Sequence, residues 1–212
     1  MRADTDSRCA EPKGSYRFGG SGGTLMAMAT TPATRRFTSD EVWQMVRIGL
    51  LEQDEPYELI DGELRYVSPQ NNAHATAIRE LTSALTLAYG PAMRVGVQLP
   101  IGGIVDSIPE PDFAVLTAEL ANQGRHPHAN ETLLIIEVSD TSVRRDVRKG
   151  AIYATAGAPE FWRIEVPRGI VIVHRGPQPD GTWCEATEIG MGGTLELPGI
   201  DQRLDASAFL TT

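Results

Sequence analysis

Cysteine is scarce in this chain: two among 212 residues, Cys9 near the start and Cys184 in a late strand-like run. Such a pair makes neither a disulfide framework nor a CxxC-type zinc site. No apolar stretch is long enough to cross a bilayer, and no secretory signal is visible, so a cytoplasmic protein with no membrane partner is expected. Positive charge is also in short supply. With Lys+Arg 19 against Asp+Glu 28 the formal net charge is −9, which argues against a protein that coats nucleic acid through clustered cations. Internal repeats are absent from the sequence.

Residues 1–36 are rich in Gly, Ser, Thr, Ala and charged side chains and carry no helical period. They read as a disordered tail, or as translated sequence upstream of a start at Met26 or Met28. Residues 37–212 are then a single domain, long enough for a sizeable core.

What is present is organised around residues 132–164. The run Leu133-Leu134-Ile135-Ile136 ends at Glu137, placing a carboxylate where a strand buried on both faces reaches the edge of its sheet. A buried carboxylate there requires a cation, a hydrogen-bond network or a metal ion. Ser139, Asp140 and Thr141 offer N-cap chemistry for a helix running to about Ala156 and closed by Gly157. That helix carries Arg144, Arg145, Asp146, Arg148 and Lys149. Upstream, Pro111-Asp112 opens a second strand-like run, Phe113-Ala114-Val115-Leu116. If the two strands are neighbours, both carboxylates and a helix-borne lysine converge on one point. A hard divalent cation and a phosphate call for that arrangement.

Taken in this order, PD, then E-V at a strand end, then a helix with D and K, then YATAGAPEFW, the chain resembles the Uma-two family of restriction-endonuclease-like proteins, a branch of the PD-(D/E)xK nuclease superfamily. YELIDGEL at residues 57–64 and the later Ser68, Pro69 and His74 belong to the same likeness, which covers residues 38–175. The resemblance implies an α/β (α+β) fold with a restriction-endonuclease-like mixed β-sheet core flanked by helices. It implies a metal-dependent DNA endonuclease, with Asp112 and Glu137 as ligands of Mg²⁺ (or Mn²⁺) and the carbonyl of Val138 facing the ion. The superfamily's usual lysine position is Ser139 here, and the resemblance moves the lysine to Lys149 on the helix. The spacing from Asp146 is one residue shorter than the family's commoner pattern, about 100° of helix rotation, so Arg148 is the alternative to Lys149. Glu58 matches the family's early glutamate, an auxiliary metal or water ligand, and similar tails imply a homodimer.

The remaining segments support a sheet and its cover. Thr38 to Glu41 has capping-box spacing ahead of a short amphipathic helix, and Asp61-Gly62 between two strand-like runs signals a type I′ hairpin. By its own pattern Glu58 is an exposed strand acid. Residues 72–89 form the longest helical pattern, with His74 in the first turn, where it either lies exposed or touches a phosphate. Val95, Val97, Leu99 and Ile101 alternate as a strand. Residues 116–131 are a polar loop whose His126-Pro127-His128 allows a zinc or nickel site but has no third ligand nearby. Arg144 and Arg145 either clamp a phosphate or lie on a solvated helix face. Trp162 fills the core, residues 161–166 and 170–173 pair as a hairpin, and residues 204–210 end the chain as a helix or turn.

Three functions remain open. The preferred one is metal-dependent hydrolysis of DNA, carried by Asp112, Glu137, Lys149 and Glu58. The second is a catalytically degenerate nuclease fold acting as an interaction or DNA-binding module, in which the two acids are satisfied by Arg144, Arg145 or backbone N–H groups. The third is hydrolysis of a small phosphoester.

Overall fold

The apolar runs before and after the two acids become the centre of a six-stranded sheet. The structure is a computed structural model and describes residues 34–210 apart from 53, 68 and 70. The expectations for residues 1–33, for Cys9 and for Ser68 therefore lie outside the described residues. Arg36–Thr212 form one compact unit, in which the Arg36 guanidinium meets Glu63 at 3.2 Å.

The chain enters through α1 (Ser39–Arg47), whose Thr38 and Glu41 make the reciprocal capping box that their spacing predicts. The hairpin of β1 (Tyr57–Ile60) and β2 (Glu63–Tyr66) turns at Asp61 and Gly62, both at positive φ, 52° and 77°. That pair of angles is what a type I′ turn requires. The hairpin is a sheet of its own, joined to the rest by an isolated bridge from Leu59 to Ile108. Helix α2 (Asn72–Tyr89) follows, capped by Asn71 and closed at Gly90.

The main sheet runs in the order β3-β4-β5-β6-β7-β8, built from β3 (Met93–Val97), β4 (Phe113–Thr117), β5 (Leu134–Ser139), β6 (Glu160–Glu165), β7 (Ile170–Pro177) and β8 (Trp183–Gly190). Every neighbouring pair is antiparallel except β5 and β6. The parallel pair is joined by α4 (Val143–Thr155) as a crossover. Period-two alternation assigns the faces. Phe113, Val115, Leu134, Ile136 and Val138 pack with Leu81 and Leu85 of α2, whereas Ala114 and Ile135 pack with Tyr153 of α4. The result is a mixed sheet with helices on both faces, as the sequence led us to expect. Trp162 is fully buried in the α2-side core.

Several local expectations are corrected. β5 continues two residues past Glu137, so Ser139 ends a strand instead of capping a helix. The N-cap position of α4 is Ser142, without a capping side-chain hydrogen bond. The strand expected through Leu99 and Ile101 stops at Val97, because Gln98 takes φ 52° and turns the chain. Residues 116–131 hold α3 (Ala118–Ala121) and a 3-10 turn, Ala129–Glu131. The end of the chain pairs β9 (Thr194–Glu196) with β10 (Arg203–Asp205) before a 3-10 turn, Ala206–Ala208.

Candidate active site

The register of the sheet places the two acids of the sequence motif. β4 and β5 pair Phe113 with Ile136 and Ala114 with Ile135; one step further along the same register sets Asp112 opposite Glu137. Asp112 accepts from the backbone N–H of Val138 at 2.7 Å through Oδ2, and its Oδ1 lies 3.2 Å from Nε2 of His74. That second contact was not foreseen. His74 is neither an exposed first-turn histidine nor aimed at solvent, but turns from α2 onto the acid. The Asp112 hydrogen bond, against the opposing pull of burial, holds the imidazole above its ordinary value.

Glu137 is 3% exposed and shares Ile135's side of the strand, facing α4. Its Oε1 accepts from the Tyr153 hydroxyl at 2.7 Å and sits 2.7 Å from Nζ of Lys149. Burial pushes its pKa well up, and the charges of Asp112, Asp146 and Glu58 add to the rise while Lys149 opposes it. Lys149 is 3% exposed. Its Nζ also donates to Glu58 Oε1 at 2.8 Å and to the carbonyl of Glu110 at 2.7 Å. Burial alone disfavours the ammonium, but Glu137 and Glu58 outweigh it, so the amine stays charged. Arg148, the alternative to Lys149, turns away and donates through Nε to Asp61 at 2.6 Å.

Glu58 is 5% exposed, which corrects the exposed-strand expectation. The hairpin lies over α4, and the carboxylate is fixed by Lys149 and by the N–H of Glu110 at 2.9 Å. α4 owes its inward face to helical spacing, with Asp146, Lys149 and Tyr153 on one buried stripe. Asp146 is held by the hydroxyl of Ser139 at 2.7 Å and by that of Ser142. Sequence reading did not assign Tyr153, Ser139 or Ser142 to the site. The three-and-four spacing of Asp146, Lys149 and Tyr153 was the signal that could have found the tyrosine.

Glu58, His74, Asp112, Glu137, Asp146 and Lys149 line a cleft of about 870 Å³, which also takes in Gln98, Glu110, Arg144 and Arg145, while Tyr153 and Ser139 lie buried behind it. The arginines do not bond the two acids; Arg145 Nε lies 3.7 Å from Asp146 and has no hydrogen bond. His126 stacks on Trp43 at 5.1 Å between centroids, and burial lowers its pKa. Among the described residues no three His, Cys, Asp or Glu side chains group to enclose a metal ion. The donor set at the cleft is instead two carboxylates from adjacent strands. Among the described residues both donors to Glu137, Tyr153 and Lys149, converge on Oε1 and leave Oε2 open. Oxygen donors in that number fit Mg²⁺ or Mn²⁺, which keep several waters and use one or two carboxylates.

Comparison with known proteins agrees with this architecture. The family described as "Uma2: Putative restriction endonuclease" matches residues 41–207. Among solved structures, a putative nuclease belonging to DUF820 from Anabaena variabilis superposes with TM-score 0.65 at 19% identity, covering 82% of this chain and 97% of that one. At that identity the likeness concerns the fold. The type IIG restriction endonuclease BpuSI is similar at TM-score 0.34 and 15% identity, over 52% of this chain and 13% of its own. No curated protein matches the chain.

Proposed function

The chain belongs to the Uma2 family of putative restriction endonucleases, and from that premise we propose that it is a divalent-metal-dependent endonuclease that hydrolyses DNA phosphodiester bonds in this cleft. The observation that carries the proposal is the convergence of Asp112, Glu137, Glu58 and Lys149, from two strands, a separate hairpin and a helix, on one solvent-open cleft. Asp112 and Glu137 would hold Mg²⁺ or Mn²⁺. Bound there, the ion would polarise a phosphoryl oxygen and acidify a water. The N–H of Val138 and the His74 ring fix the orientation of Asp112, and Tyr153 does the same for Glu137. Lys149 supplies a fixed positive charge against the charge that develops on phosphorus oxygens as water adds and the P–O bond to the leaving alcohol breaks. Glu58 anchors that ammonium and has a second oxygen able to accept from the attacking water. Arg144 and Arg145 at the rim supply cations for flanking phosphates.

A degenerate, non-catalytic fold is the second reading, favoured by one observation. The three N–H groups of Lys149 are already taken by Glu58, Glu137 and the Glu110 carbonyl, so catalysis requires one of them to be redirected. The test is nicking and linearisation of supercoiled plasmid in Mg²⁺ and in Mn²⁺, with Asp112→Ala and Glu137→Ala alongside. Cleavage lost in both variants supports the endonuclease. Cleavage that survives both removes the proposed site, and a parent that neither binds metal nor cuts leaves the interaction module.

A further inference from the structure

Two non-glycine residues among the described ones have backbone φ in the left-handed region, Asp61 and Gln98, each at 52°. Asp61 has a local reason: it is the first central residue of the β1–β2 turn, a position that needs positive φ and that aspartate tolerates. Gln98 has no such reason. Its side chain is exposed, it belongs to none of the residue types enriched at such angles, and its carboxamide makes no hydrogen bond within the described residues.

Its backbone, by contrast, is tied down. The Gln98 N–H donates to the carbonyl of Asp112 at 3.1 Å. β3 and β4 pair Val97 with Phe113, so one step on Gln98 stands opposite Asp112, as Asp112 stands opposite Glu137. The three residues form one row across adjacent strands, and all three line the same cleft. Glycine would take this angle with less strain, so a long polar side chain here is explained by what it reaches.

The geometry points to Gln98 as a substrate-contact residue whose carboxamide N–H donates to a phosphate oxygen of the DNA backbone beside the bond being cut. The inference rests on the endonuclease reading above and adds to it the group that positions the flanking phosphate. A neutral amide held on a phosphate oxygen displaces no counterion and touches no base edge, so its contribution is independent of DNA sequence and leaves the salt dependence of binding unchanged.

The experiment is steady-state cleavage of a duplex in Mg²⁺ by the parent, Gln98→Gly and Gln98→Glu, with thermal melting of each. Loss of one neutral hydrogen bond raises KM roughly three- to tenfold in Gln98→Gly, with kcat little changed and Tm at or above the parent's. Gln98→Glu keeps the size but sets a carboxylate against phosphate, so its KM rises further. A parental KM in Gln98→Gly overturns the contact, as does a KM rise accompanied by a lowered Tm, which marks a structural role. A loss restricted to certain base sequences also overturns the phosphate assignment. If the parent cuts no DNA in Mg²⁺ or Mn²⁺, the endonuclease reading falls and this contact with it; if the parent cuts and Gln98→Gly matches it, the contact alone falls.

Discussion

Buried carboxylates occur in two regions of the sheet and are treated differently in each. On β6, Glu160 accepts from Trp162 Nε1 at 2.6 Å and from Arg175 Nη2 at 3.1 Å on one oxygen, and from Arg175 Nε at 2.7 Å on the other. Glu165 likewise divides its two oxygens between Arg163 at 2.7 Å and Arg168 at 2.8 Å. At the cleft, Glu137 and Glu58 crowd their donors onto a single oxygen each and share one lysine. On β6 both oxygens of each glutamate are filled by the chain's own guanidinium groups, and there the carboxylate holds the fold together. One with an oxygen left open and a shared cation is poised for something outside the chain, at some cost to stability.

The largest effect expected is on cleavage. Asp112→Ala and Glu137→Ala should each reduce plasmid cleavage by roughly a thousandfold or more, in the range that removal of a principal electrostatic group produces. Their melting temperatures should stay near the parent's, because each removes an excess negative charge. Glu160→Gln is the converse: cleavage below its melting temperature is retained while stability falls by about 1–2 kcal/mol, since the half-exposed Arg175 loses its anionic partner and water screens part of the loss. If chemical denaturation ranks these variants the other way, the contrast between the two regions is wrong.

Lys149→Met tests the shared cation. It strands Glu58 and Glu137 together and should cost about 3–5 kcal/mol. Adding Glu58→Gln should recover part of that loss without restoring cleavage, which a double-mutant cycle in urea would measure.

A smaller effect belongs to pH. His174 stacks on Phe161 at 5.4 Å, and burial, helped by Arg163, lowers its pKa to about 4. The folded state therefore binds fewer protons than the unfolded one between an ordinary histidine value and that lowered one. Stability from this group is fully present above the ordinary value and is lost as pH falls through the window. With the ring partly exposed, the loss is about 1–2 kcal/mol. His174→Asn should flatten that limb of the stability profile. Smallest of all, Arg144→Ala should weaken DNA binding evenly across sequences and reduce the slope of log K against log salt by about one.

How legible the molecule was depends on what each residue's partner is. The hairpin at Asp61-Gly62 and the bounds of α2 follow from local chemistry and formed as written, whereas the strand through Glu137 ran on to Ser139. The pairing of Asp112 with Glu137 needed only that two successive strands be neighbours. Contacts made across long sequence separations were another matter. Glu58 meets a lysine 91 positions away, and a four-residue strand pattern cannot say that a helix will lie beneath it. His74 and Asp112 are 38 positions apart, and first-turn chemistry suggested an anion without naming the carboxylate. The irregular segment after Gln98 defeated period-two reading because a single backbone angle ended the strand. The Uma2 family match was legible because it rests on the order of short motifs, which survives any error in where an element stops.

The parallel pairing of β5 with β6 has a consequence during synthesis. Asp112, Glu137, Lys149 and Glu58 have all been translated by residue 149, yet β5 gains its second neighbour only when Glu160–Glu165 follow α4. A chain still growing on the ribosome therefore carries every acid and the lysine without the strand that seats the helix between them. The cleft is therefore completed late, when β6 takes its place beside β5, rather than as its acids and lysine are translated.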